Sequence, residues 1–240
     1  MKSVKKSILG LACACLIATG VTLAYINRVT ETAENTFSSD RNLTLELKEP
    51  AWDGYEFGDK YPEGVIPGSI PNPNSEDKTL GILKADNYYP GDGFNKNPAV
   101  KNTSKEESEY VAIKVEYVLV GADNSESNLS KEDFNELYAK TQVLDNDRNA
   151  DGINDSFVNI STNSNYDLYL YGTTTKATEL IANDNTQTLF DHVLINQNIS
   201  TDENGKWPNF RIKVTAYAIQ TVNLTTEQVK QELNALANKN

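Results

Sequence analysis

The chain has 240 residues, with 22 Lys plus Arg against 34 Asp plus Glu and a single His, giving a formal net charge of −12 at pH 7. So acidic a surface argues against nucleic acid or anionic lipid as a partner and favours solubility and cation binding. Both cysteines, Cys13 and Cys15, lie in an apolar run near the N-terminus, so the chain beyond it has no thiol for a disulfide, a metal or a nucleophile and folds on burial alone.

Lys2, Lys5 and Lys6 precede an apolar run from Ile8 to Leu23 that ends at Ala24, and no acid occurs before Glu31. This is the n-region, h-region and small-residue pattern of a secretory signal peptide over 1–24, with cleavage between Ala24 and Tyr25. An uncleaved transmembrane anchor is the competing reading, since a span needs roughly 18 to 20 apolar residues. Gly10, Thr19, Gly20 and Thr22 weaken it. Lipoprotein processing is not expected, because Cys13 and Cys15 lie inside the apolar run and are more simply residues of the h-region. Removing the three signal lysines leaves 19 basic against 34 acidic residues, a net charge of −15, on a little over 210 residues. That length suits one β-rich domain with a sizeable core. We expect an N-terminal segment over 25–41 and a folded domain over 42–240.

Asn42 to Glu49 alternates Leu43, Leu45 and Leu47 with polar residues and predicts a half-buried strand. From Pro50 to Pro98 the chain is rich in Pro, Gly, Asn and Asp, which predicts a loop-rich insertion on the rim with one short strand near Gly81 to Leu83. Glu109 to Val120 places Val111, Ile113, Val115 and Tyr117 on one face of a strand and Lys114 and Glu116 on the other. Ser130 caps a predicted helix to Lys140, with Asp133 at its third position and Phe134, Leu137 and Tyr138 on one face. Strands are predicted over Phe157–Ile160, Tyr166–Tyr171, Thr188–Ile195 and Asn209–Ile219. Thr225 or Thr226 caps a last helix to about Ala237, with Val229, Leu233 and Leu236 as its stripe. Many strands, long loops and short connecting helices indicate an all-β, antiparallel, jelly-roll-like β-sandwich behind an N-terminal signal helix.

Several passages, in this order, resemble the TasA/camelysin family of Gram-positive bacteria. They are Thr22-Leu-Ala-Tyr-Ile-Asn, Glu31-Thr and Asn35-Thr-Phe37 behind the signal, then Leu43-Thr-Leu-Glu-Leu and Glu49-Pro-Ala-Trp-Asp53. Pro90-Gly, Lys96-Asn-Pro-Ala-Val-Lys-Asn102 and Tyr110-Val-Ala-Ile-Lys-Val115 continue the series. Thr188-Leu-Phe-Asp-His-Val193 and Ile212-Lys-Val-Thr-Ala-Tyr-Ala-Ile-Gln220 are similar to its clostridial branch, the BsaA-type biofilm matrix proteins. The resemblance implies a secreted jelly-roll subunit, trimmed by a dedicated SipW-type signal peptidase, that polymerises head-to-tail with copies of itself into matrix fibres. We expect no enzymatic activity, and no stable membrane anchor after cleavage. In donor-strand complementation a freed N-terminal segment adds as a strand to the sheet of the next subunit, which suits an unpaired sheet edge. The donor here is about Tyr25 to Phe37, with Tyr25, Ile26, Val29 and Phe37 as its anchors; Ile26-Asn27 behind Tyr25 departs from the family's aromatic-rich start. The alternative is a monomeric, calcium-stabilised cell-surface binding module whose N-terminal segment completes its own sheet.

Asp145, Asp147, Asn149, Asp151 and Asp155 alternate around Gly152, a pattern that wraps a hard cation such as calcium, with Ile153 contributing its carbonyl. Val158 stands where an EF-hand has its closing Glu, so the site would be of a shorter type; the other reading is a solvated Asp-Gly turn. His192, the single histidine, lies among apolar strand residues and reads as packed or at an edge. Some camelysin-like proteins are classed as metallopeptidases, a third reading, but the chain has no HExxH and too few nitrogen or sulfur donors for catalytic zinc. GxSxG, P-loop and dinucleotide fingerprints are likewise absent from the sequence. Trp52 reads as closing one end of the sandwich. Lys, Asn and acid side chains on adjacent strands could form isopeptide cross-links, with nothing in their spacing to single out a set. No LPxTG-like wall-sorting motif is present.

Overall fold

Two alternating twelve-residue stretches pair along their whole length, and the remaining elements are arranged on the sheet they begin. The structure, a computed structural model, describes residues 28–29, 43–144 and 152–239. In chain order the strands are β1 (Arg28–Val29), β2 (Leu45–Lys48), β3 (Gly93–Asn95), β4 (Ala99–Asn102), β5 (Glu109–Val120) and β6 (Glu126–Leu129). They continue with β7 (Ala139–Gln142), β8 (Phe157–Asn159), β9 (Asp167–Tyr171), β10 (Glu179–Leu180), β11 (His192–Ile195) and β12 (Asn209–Gln220). The helices are α1 (Pro50–Asp53), α2 (Gly81–Ala85), α3 (Lys131–Leu137) and α4 (Thr226–Ala237).

The chain is all-β in class, and every strand pairing among the described residues is antiparallel. The main sheet runs β1-β12-β5-β9-β8, with β6 and β10 also paired to β5. Smaller sheets run β3-β11-β7 and β2-β4. On one face of β5 and β12, Val111, Ile113, Val115, Tyr117, Ala216 and Ala218 join a large core. Phe94, Val100, Phe134, Ala139, Val193 and Ile195 from the smaller sheets and α3 complete it. On the other face Ala112, Leu168, Leu170, Tyr217 and Ile219 meet Val229, Leu233 and Leu236 of α4. The sheet is therefore covered on both faces. This explains why Lys114, on the face opposite the large core, is buried, with its Nζ 3.4 Å from Glu116 and 5.1 Å from the Tyr166 ring.

Local signals set the helix starts. The Ser130 side chain accepts from the Asp133 N–H, and Thr225 forms a full capping box with Gln228. The predicted apolar stripe of α4 is buried as expected.

Four expectations are corrected. The Gly81 to Leu83 stretch is the start of α2 rather than a strand. The helix from Ser130 stops at Leu137, which is 51% exposed, because the chain turns there to enter β7 beside β11. Only His192–Ile195 of the Thr188–Ile195 stretch is a strand. Upstream of it the Leu189 N–H bonds singly to the Pro98 carbonyl and the Leu189 carbonyl accepts from Asn154, so buried Leu189 and Phe190 anchor a bend. Finally, the 50–98 stretch is more than loops: α1, α2 and β3 lie in it, and Tyr55, Leu80 and Phe94 are buried.

Candidate functional site

The outer edge of β12 is the feature on which the N-terminal segment bears. Its inner edge is paired with β5 at every residue from Asn209 to Gln220. On the outer edge, Arg28 pairs with Ala218 and Val29 with Tyr217. Among the described residues no strand pairs with the outer edge from Asn209 to Thr215; β2 approaches β12 without pairing to it. Along this stretch Phe210, Ile212 and Val214 point to the large core yet remain half-buried, as do Leu45 and Leu47 of β2. Among the described residues, the core beside this stretch of the edge is therefore only partly covered. The opposite face of the same stretch is charged: Arg211 Nη1 lies 2.6 Å from Glu126 Oε1, and Lys213 bonds the other oxygen of that carboxylate. Of the expected donor anchors, Val29 is at the edge, while Tyr25, Ile26 and Phe37, together with the cleavage residue Ala24, lie outside the described residues.

At the predicted cation loop, Asp145, Asp147, Asn149 and Asp151 also lie outside the described residues. Gly152 has φ +71°, the left-handed turn such a loop requires, and a Cβ there would lie 2.0 Å from the Thr141 carbonyl oxygen. Ile153 is buried and anchors the loop's exit in the large core, whereas Asp155 is exposed. The turn and the outward acid are compatible with a chain wrapping a cation. No group of three or more His, Cys, Asp or Glu side chains that could hold a metal ion is present among the described residues.

His192 begins β11 opposite Asn95 on one side and Gln142 on the other, so it is a half-buried residue of the central strand of its sheet rather than an edge residue. Its ring lies over Gly93, where a Cβ would lie 2.2 Å from Nε2. Burial holds the imidazole pKa below its usual 6.5, outweighing the opposing charge of Asp191, and Lys84 adds a lesser lowering effect.

A knot of buried charge at the base of the 50–98 stretch escaped sequence reasoning. Lys48, Glu49, Asp53 and Lys96 are all buried. Lys96 Nζ donates to Glu49 Oε2 at 2.7 Å and stands 5.0 Å from the Trp52 ring centroid. Lys48 Nζ donates to the Asp59 carbonyl and lies 3.9 Å from the Tyr61 ring centroid. Asp53 accepts from the Tyr55 N–H at 3.0 Å, the Tyr61 hydroxyl at 3.1 Å and the Gly68 N–H at 3.2 Å. Burial nevertheless pushes the Asp53 carboxyl above its ordinary range, outweighing those bonds, and the charge of Glu49 adds to the effect. Burial and then Asp53 push the Tyr61 hydroxyl up as well. The only trace of this knot in the sequence is the run Lys48-Glu-Pro-Ala-Trp-Asp53, in which a helix start at Pro50 sets Glu49 and Asp53 one turn apart.

The chain matches no protein-family model, no curated protein and no solved structure.

Proposed function

We propose that the protein is a secreted, non-enzymatic structural subunit of an extracellular biofilm matrix fibre, with a jelly-roll fold. In this reading signal peptidase cleavage after Ala24 frees Tyr25 to Phe37, which adds as a donor strand to the β12 edge of the next copy. The observation that carries it is the pairing of Arg28 and Val29 with Ala218 and Tyr217, which gives the N-terminal segment an affinity for that edge. The donor stretch is as long as the edge it would occupy, and the half-buried Phe210, Ile212 and Val214 beside the edge offer apolar surface for it to cover. A strand contributed by a neighbour repeats this contact without closing it, which produces a filament. Deleting Tyr25 to Phe37 from the mature protein abolishes filaments seen by electron microscopy; unchanged polymerisation sinks the proposal.

A second reading is favoured by the same pairing taken within one chain. In it, β1 completes its own sheet and the protein is a monomeric cell-surface module, with the loop from Asp145 to Asp155 binding calcium. Sedimentation of the mature protein separates the two, since a strand that completes its own sheet leaves a concentration-independent monomer.

A further inference from the structure

The buried pair at the base of the 50–98 stretch has the geometry of a condensation site. We propose that Lys96 and Glu49 are joined by an intramolecular amide bond between Lys96 Nζ and Glu49 Cδ. The inference is independent of fibre assembly. Nζ is held 2.7 Å from Oε2, and the two side chains are only 6% and 8% exposed, so nucleophile and carboxyl are fixed against each other away from bulk water. The Trp52 ring lies against the amine at 5.0 Å. Among the described residues Glu49 Oε1 is buried with no hydrogen-bond donor, so the carboxylate is satisfied at one oxygen only. Condensation converts a desolvated ion pair into a neutral amide and removes that unfavourable burial.

The step balances within the pair. A proton leaves the Lys96 ammonium, the freed lone pair attacks Cδ, and the C–N bond forms. The C–O bond to one carboxylate oxygen breaks, and that oxygen departs with two of the three ammonium protons as water. The third proton remains on the amide nitrogen, and no oxidant or co-substrate is required. Asp53 is the positioning acid. Gly68 borders both carboxyls: its N–H donates to Asp53 Oδ2 at 3.2 Å, and a Cβ built on it would lie 3.6 Å from Glu49 Oε2. Burial, with the charge of Glu49 adding to it, raises the Asp53 carboxyl above its ordinary range, and its proton uptake beside the pair would ease departure of the oxygen.

The bond would close a loop across a sequence separation of 47 residues. In a chain whose two cysteines lie in the leader, it takes the place of a disulfide by restricting the unfolded state and tying α1 to the segment after β3.

Intact-mass spectrometry of the secreted protein, with its N-terminus mapped, reads the bond as a mass one water below that of the sequence. Tryptic digestion after denaturation leaves Lys96 uncut and yields a branched peptide carrying Glu49. Lys96→Arg shows the full mass and no branched peptide. Asp53→Asn lowers the linked fraction and Asp53→Glu restores it; an equal linked fraction in Asp53→Asn removes Asp53 from the proposal. A wild-type protein of full mass that trypsin cuts after Lys96 overturns the bond itself.

Discussion

Trp52 Nε1 donates to the Gly68 carbonyl at 2.9 Å, and the two residues are so close that a Cβ on Gly68 would lie 2.6 Å from Nε1. Gly68 also has φ +75°, a conformation that side chains disfavour. Gly68→Ala therefore meets steric and backbone penalties together and lowers stability by about 1–3 kcal/mol. Thermal unfolding followed by circular dichroism checks this, and an unchanged melting temperature counts against the packing described.

His192 gives a pH test with a definite sign. Its folded pKa is depressed below 6.5 by burial, so the fold prefers the neutral ring. The stability this group contributes is fully present above pH 6.5 and is lost as pH falls through the lower folded value. Because it is the single histidine, its imidazole proton resonance titrates without overlap. A midpoint at or above 6.5 contradicts the burial of the ring.

Gly152 tests the turn that leads out of the acidic loop. Gly152→Ala forces a Cβ to within 2.0 Å of the Thr141 carbonyl in a backbone with φ +71°, and we expect a loss of several kcal/mol, among the larger single-residue effects. If the loop binds calcium, the wild-type melting temperature rises in millimolar calcium, by an amount equivalent to about 2.7 kcal/mol when the ion is at a hundred times its dissociation constant. A melting curve indifferent to calcium and to chelator removes the ion from the site.

The last helix separates a local contribution from a tertiary one. Thr225→Ala breaks a capping box and costs about 1 kcal/mol. Leu233, fully buried against Leu168 and Ile219 in the second core, costs about 2–5 kcal/mol when cut to Ala. Chemical denaturation of the two variants should rank them in this order.

Much of the fold was legible because it depends on short-range alternation and capping. Val111, Ile113, Val115 and Tyr117 announce one buried face of β5, and Ser130 and Thr225 announce two helix starts. Where alternation and tertiary pairing disagree, pairing decides. Thr188 to Phe190 has strand character but bends, while Ala139 to Gln142 carries a weak pattern and becomes a strand because β11 lies alongside it. Lys48, Asp53 and Lys96 were illegible as core residues because hydropathy places charged side chains in water. Only contacts supplied by distant parts of the chain, such as the Gly68 N–H on Asp53 and Glu49 on Lys96, make their burial tolerable.

By itself the sequence determined the strand-rich class, the two long central strands, the helix caps and the absence of any cysteine after Cys15, since each follows from composition or near-neighbour periodicity. Only the tertiary structure decided that the main sheet is covered on both faces, that Arg28 and Val29 meet the outer edge of β12, and that Glu49 and Lys96 meet in the interior. Those outcomes depend on which remote segments are brought together, and periodicity over a few residues contains no term for such contacts.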